Sequence, residues 1–192
     1  PGLAAGAKEH KMGFRLSDTT EVVLENVRVP RSAVIGEVGC GMSIALNALN
    51  LSRAFISTLA VGIMQRALDE AVAYAKQRKQ FGRRLIDFEM VQAMLADMAI
   101  KTEAARVLVN NCMRQMDAGE MVRKDGAIVK TFVTDAMQEV VSNAVQVLGG
   151  YGYSEEYPVE KLMRDAKIFQ IFEGSNQIQR MTIAKELDRE YR

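Results

Sequence analysis

Between Val91 and Met116, apolar residues return in alternating steps of four and three: Val91, Leu95, Met98, Thr102, Ala105, Val109, Cys112 and Met116. Thr102 is the only polar member of the series. This spacing sets one continuous stripe along an α-helix and suits helices that cross at a shallow angle. The helix is expected over about 87–117, with Asp87 as N-cap and Gly119 closing it. One such helix cannot bury its stripe alone, so the chain needs partners of matching length.

Those partners are legible. A first helix is expected over about 40–79, entered through the loop of Gly36, Gly39 and Gly41 and capped at its C-terminus by Gly82. A third spans about 121–148, with Val129, Phe132, Val133, Ala136, Val140, Ala144 and Val147 on one side, and is broken by Gly149, Gly150 and Gly152. A fourth starts at Pro158, a favoured first position, and runs to about 170; a fifth runs from about 174 to the end. Long antiparallel helices joined by short glycine-containing connections make an all-α, up-and-down bundle. Residues of about Lys11 to Pro30 alone read as strand. Val22 and Leu24 share a face, and Val27 and Val29 resume the alternation after a one-residue slip at Glu25–Asn26, as a β-bulge would produce. Two short strands do not hold together alone, so they pair with sequence outside this chain or lie on the helices. The expected division is an incomplete β-segment, 1–34, and a helical domain, 35–192. Because the chain opens at Pro1 in a strand-like region, it is expected to be the C-terminal part of a longer protein.

Composition narrows the function. With 48% hydrophobic and 26% charged residues in 192, the chain is globular, and a net charge of +1 gives no reason to expect nucleic acid. Cys40 and Cys112 fit a reducing compartment, and with His10 as the only histidine no zinc site is expected. The uncharged run Ala54 to Gln65, between Arg53 and Arg66, falls short of the roughly 20 residues that span a bilayer, so no membrane span is expected. Met90, Met94 and Met98 lie at helical spacing; filling core gaps is favoured over an adaptable binding surface.

Three stretches invite chemistry. In Ile168–Arg180, one carboxylate, Glu173, stands among Phe169, Ile171 and Phe172 and precedes Gly174. It reads either as a helix start, where a negative charge is favoured, or as a general base shielded from water. Water exclusion raises the pKa of a carboxyl group, which suits a base working near neutrality. From Lys76 to Arg84, five cations in nine residues surround Phe81 at a helix end. They serve either the helix dipole and solubility or an anion site built on Arg78. Val145 to Tyr153 is a helix end with a glycine loop that permits close backbone approach, yet it lacks the Rossmann and P-loop patterns. Arg53, alone in an apolar helix, either snorkels or has a carboxylate or ligand partner.

Four motifs occur in the order and spacing of one family: Arg78-Lys79-Gln80-Phe81-Gly82, Gln146-Val147-Leu148-Gly149-Gly150, Tyr157-Pro158-Val159-Glu160 with Arg164-Asp165-Ala166-Lys167, and Phe172-Glu173-Gly174-Ser175-Asn176-Gln177. Together they resemble the acyl-CoA dehydrogenases, and Glu21–Pro30 looks like the last strand of that family's middle β-domain. The resemblance implies a helical C-terminal domain, non-covalent FAD, and a dimer or dimer of dimers. It implies that Arg78, Gln80, Phe81, Gln146 and Gly150 contact the FAD of a neighbouring subunit. Ser175, where the family commonly has Thr, and Gln177 would contact FAD on the side of Glu173. Glu173 matches the family's base, which removes the α-proton of an acyl-CoA thioester while hydride leaves the β-carbon for the flavin. The Glu173 backbone N–H and a flavin ribityl hydroxyl would polarise the thioester oxygen. Arg53, Asn50 and Gly174 fall on the substrate side; relatives can carry Asp at the position of Asn50. Some subfamilies place the base at the position of Ser52 instead. Electrons would pass to an electron-transfer flavoprotein, in bacterial cytoplasm or mitochondrial matrix. An acyl-CoA oxidase and a non-catalytic helical assembly module are the alternatives. The carboxylate of Glu173 is expected in a water-poor cavity completed by a second polypeptide, at the cleft bounded by the glycine turn and the basic helix end.

Overall fold

The structure, a computed structural model, describes residues Pro1–Arg192. Five α-helices follow a short β-segment: α1 (Gly41–Gln77), α2 (Glu89–Asp117), α3 (Arg123–Leu148), α4 (Pro158–Ala166) and α5 (Asn176–Glu190). α1 has 37 residues and is therefore about 55 Å long. It buries small side chains such as Ala60, Ala67, Ala71 and Ala75, which let α3 come close. α3 is the central element, packed on α1, α2, α4 and α5 through residues such as Val133, Met137, Val140 and Ala144. The α2 stripe lies where its spacing predicts: Leu95, Met98, Thr102, Ala105, Val109 and Cys112 are buried. Thr102 Oγ1 donates to the Met98 carbonyl at 2.8 Å, which satisfies the stripe's one polar member. Met98 is enclosed and Met90 is exposed, so the methionine series turns from core to surface along the helix.

Several expectations need correction. α1 stops at Gln77, and Gly82 does not cap it. Instead β3 (Lys79–Gln80) and β4 (Arg83–Arg84) form a tight antiparallel hairpin. Phe81 and Gly82 turn it with φ of 52° and 81°, the successive left-handed residues of a type I′ turn. Asp87 is not the N-cap of α2. It closes a 3₁₀ turn, Leu85–Asp87, by accepting from Arg84 Nη2 at 2.7 Å, and Phe88 takes the N-cap position. Phe132 lies at the edge of the α3 stripe and is 39% exposed. By length and composition α1 is apolar enough to cross a bilayer, which the charge-bounded run did not lead one to expect. Here it lies in the bundle against α2 and α3.

The β-segment is longer than expected. β1 (Leu3–Lys8) pairs antiparallel with β2 (Thr20–Leu24), with Leu3 opposite Leu24 and Ala5 opposite Val22. The register irregularity sits on β1, between Ala5 and Lys8, and not at Glu25–Asn26. At Asn26 the chain turns away with φ of 51°. The intervening turn docks on α4: Arg164 Nη1 donates to the Met12 carbonyl at 3.0 Å, and Phe14 meets the buried Phe169 edge-on at 5.5 Å between centroids.

Candidate active site

α5 starts at Asn176, and Ser175 is its N-cap, with Oγ accepting from the Ile178 N–H at 3.4 Å. Immediately upstream, Glu173 and Gly174 are both left-handed, with φ of 56° and 84°. For a residue with a Cβ this conformation costs on the order of 1–3 kcal/mol and persists only where the surroundings impose it. Two buried side chains impose it here. Gln179 Nε2 donates to the carbonyls of Glu173 at 3.1 Å and Gly174 at 3.0 Å. Lys130 Nζ donates to the Gly174 carbonyl at 2.9 Å and to Asn176 Oδ1 at 2.7 Å. A Cβ at 174 would lie 2.5 Å from Gln179 Nε2 and push that amide off the two carbonyls it holds.

With these carbonyls drawn inward, the backbone N–H groups of Glu173, Gly174 and Ser175 have no acceptor in the chain. Successive free N–H groups beside left-handed residues suit a developing oxyanion. The Glu173 carboxylate is half-buried and accepts one hydrogen bond, from Ser52 Oγ of α1 to Oε2 at 2.6 Å. Phe169 is wholly inside the core and Ile171 is 55% exposed, so within this chain the carboxylate is not the water-free group expected.

One residue along α1, Arg53 is buried and donates through Nη1 to Asn50 Oδ1 at 2.9 Å, while its Nε is enclosed without an acceptor. Burial lowers its pKa, Arg123 adds to this, and Glu173 opposes it. Arg53 thus holds a free donor near the carboxylate and does not snorkel. Lys130 has no exposed surface, and burial pushes its pKa down to about 8, against the pull of Asp135 and Glu173. Burial would raise the pKa of Asp135, yet it is held low by donors from Arg180 at 2.6 Å, Gln170 at 2.7 Å and Asn176 at 2.7 Å. Lys130, Asn176, Asp135 and Gln179 were absent from the sequence-derived site. Lys130 carried a usable signal: like Arg53, it is a lone cation in an apolar helical run.

The remaining candidates gather elsewhere. A cleft of about 560 Å³ is lined by Tyr74, Arg78, Gln80, Gly149, Gly150 and Tyr151, with Glu156 adding one carboxylate. Arg78 is exposed, and its guanidinium lies 5.6 Å from the centre of the Tyr151 ring. Gly149 turns the chain with φ of 62°. Gln146 is exposed on the last turn of α3 and Phe81 is 93% exposed at the hairpin tip; neither lines the cleft. Arg78, the C-cap of α1, lies 26 residues beyond Ser52, about 39 Å along the helix axis. Glu173 and the glycine turn therefore do not share a cleft within one chain, contrary to expectation. Ser175 and Gln177 stay at the Glu173 end; Gln177 is exposed and the side chains of Asn176 and Gln179 face inward.

The sequence profile of the acyl-CoA dehydrogenase C-terminal domain matches residues 39–187, all five helices nearly to the end of α5. The chain belongs to the acyl-CoA dehydrogenase family. It is 48% identical over 187 residues to the probable acyl-CoA dehydrogenase FadE25 of Mycobacterium tuberculosis, covering 97% of this chain and 48% of that protein. It is 42% identical over 183 residues to CarC, a subunit of the caffeyl-CoA reductase–Etf complex of Acetobacterium woodii, covering 95% of this chain and 48% of CarC. The structure of butyryl-CoA dehydrogenase from Megasphaera elsdenii superposes with a TM-score of 0.97 at 45% identity, over 98% of this chain and 49% of that one. The chain thus spans about half the length of these acyl-CoA dehydrogenase relatives. The two ends of α1 carry two separate groups of acyl-CoA dehydrogenase motif residues, one around Glu173 and one around Arg78.

Proposed function

We propose that this chain supplies the proton-abstracting part of an FAD-dependent acyl-CoA dehydrogenase, with Glu173 as the base. The observation that carries this reading is the Glu173–Gly174 turn. It holds a carboxylate and free N–H donors side by side on a backbone clamped from within. The base takes the α-proton of the thioester, and its Cα–H bonding pair forms the new double bond as hydride leaves the β-carbon. The thioester oxygen gains negative charge during this step, and the N–H groups at 173–175 are placed to receive it. Arg53 and Asn50 flank the acyl-CoA side.

The chain's residues fit FAD. Arg78 has no carboxylate partner among the ion pairs at its end of α1, and it stands beside a glycine turn that leaves backbone room. These are the donors a pyrophosphate needs. At the Glu173 end, the Ser175 oxygen accepts from Ile178 while its hydrogen stays free to donate, and the Gln177 amide is open. FAD, when bound, accepts the hydride. Since these groups lie at opposite ends of α1, Arg78, Gln80 and Gly150, together with Phe81 and Gln146 nearby, serve the flavin of a neighbouring copy in a dimer or dimer of dimers. An electron-transfer flavoprotein is the proposed acceptor of the electrons, in line with the Etf complex to which CarC belongs. Glu173→Gln in the FAD-loaded enzyme should keep flavin content and abolish exchange of the α-proton with D₂O; retained exchange would remove Glu173 from this role.

A further inference from the structure

We infer that Ser52 is a positioning residue whose hydroxyl follows the protonation state of Glu173, an inference that rests on Glu173 being the base. Ser52 Oγ carries one hydrogen and has two acceptors in range: Glu173 Oε2 at 2.6 Å and the Leu49 carbonyl at 3.2 Å. One hydrogen cannot serve both. The bond to the charged oxygen is the shorter and, being charge-assisted, the stronger.

Three buried hydroxyls on α1–α3 give the contrast. Ser57, Thr102 and Thr134 each donate to the carbonyl four residues back, at 2.7, 2.8 and 2.8 Å. That is the ordinary way for a hydroxyl to be satisfied in a helix. Ser52 instead makes its shortest bond to a carboxylate 121 residues away in sequence, and it is the sole hydrogen-bond donor that carboxylate has in the chain. The main chain of Glu173 is already fixed by Gln179, so Ser52 restrains what remains free, the carboxylate.

Once Glu173 carries the substrate's α-proton on Oε2, the oxygen facing Ser52, its carboxylic acid becomes a donor. Ser52 can then accept through an oxygen lone pair while its own hydrogen swings to the Leu49 carbonyl. No covalent bond of Ser52 breaks: the abstracted proton stays on Glu173, and Ser52 keeps its hydrogen. The same pair of oxygens stays joined before and after the transfer, so the carboxyl group keeps one orientation through the step. A residue without a hydroxyl leaves it free to rotate in both states.

The test compares wild type, Ser52→Ala and Ser52→Thr in the FAD-loaded enzyme, with Glu173→Gln alongside. Ser52→Ala should lower kcat and α-proton exchange in D₂O together by about tenfold, with KM within about twofold. Flavin content and melting temperature should not change. Ser52→Thr should restore kcat and exchange with KM unchanged. If Glu173→Gln abolishes exchange but Ser52→Ala matches wild type in kcat and exchange, the Ser52 inference is overturned while the base stands. A loss in Ser52→Ala that Thr fails to restore overturns it too. If Glu173→Gln retains exchange, the reading of the base fails instead.

Discussion

At the scale of single residues, Lys130 shows how an expensive group is used. An ammonium with no exposed surface sits in an apolar bundle, and its bonds go to the Gly174 carbonyl and Asn176. Its pKa falls from the ordinary 10.5 to about 8 in the folded chain. Below pH 8 the lysine is charged in both folded and unfolded chains, and the native state carries the full penalty. Between 8 and 10.5 the unfolded chain binds more protons than the folded one, so stability must rise with pH, by at most about 3 kcal/mol. Urea unfolding at several pH values across this window should show the rise in wild type and none of it in Lys130→Met. A flat wild-type profile would mean that the lysine keeps its ordinary affinity for protons. Arg53 was singled out from the sequence and Lys130 was passed over, although both are isolated charges in apolar helical sequence. The Glu-Gly pair drew attention to its own neighbours in sequence, whereas the lysine that holds it lies 44 residues away.

Elements differ in how openly the sequence declares them. The α2 stripe could be read because a repeating step repeats in space. β1 could not, because Ala4, Ala5, Gly6 and Ala7 carry none of the branched or aromatic side chains that mark strands. Gly82 misled for a specific reason: a helix cap and a type I′ turn both call for left-handed glycine. Only the unusual φ of Phe81 before it tells them apart. The junction between the β-segment and α4 rests on another glycine. A Cβ at Gly13 would lie 2.5 Å from the Arg164 carbonyl carbon and oxygen, which are helix backbone and cannot swing aside. Gly13→Ala should therefore lift this turn and cost about 1–3 kcal/mol in denaturant unfolding. Limited proteolysis should cleave earlier within residues 1–30, while α1–α3 stay protected. Unchanged proteolysis would show that the junction tolerates a methyl group.

For the whole molecule, the direction of α1 matters more than any motif on it. Four motifs read along a line do not say which end of a bundle each reaches; the family resemblance divided them between two flavins, and the length of α1 sets the two groups apart. If the Arg78 end serves another copy's flavin, Arg78→Ala should reduce flavin retained after gel filtration severalfold without changing the melting of the protein portion; full retention would count against that role. The face of α1 bearing Leu51, Phe55 and Leu59 is about half exposed in the single chain, and a contiguous apolar surface of this kind drives association. The 192-residue chain should therefore elute as an oligomer by light scattering while showing little or no turnover alone; a yellow monomer that turns over would contradict both expectations.

Since α1 is a single uninterrupted rod of 37 residues, it also acts as a phase gauge between its two ends. Inserting one residue between Ser52 and Arg78 would swing the hairpin by about 100° around the axis. Inserting seven would return it to within about 20° of its starting direction, but about 10 Å farther off. Length changes in this helix are thus expected to be tolerated, if at all, only in whole pairs of turns.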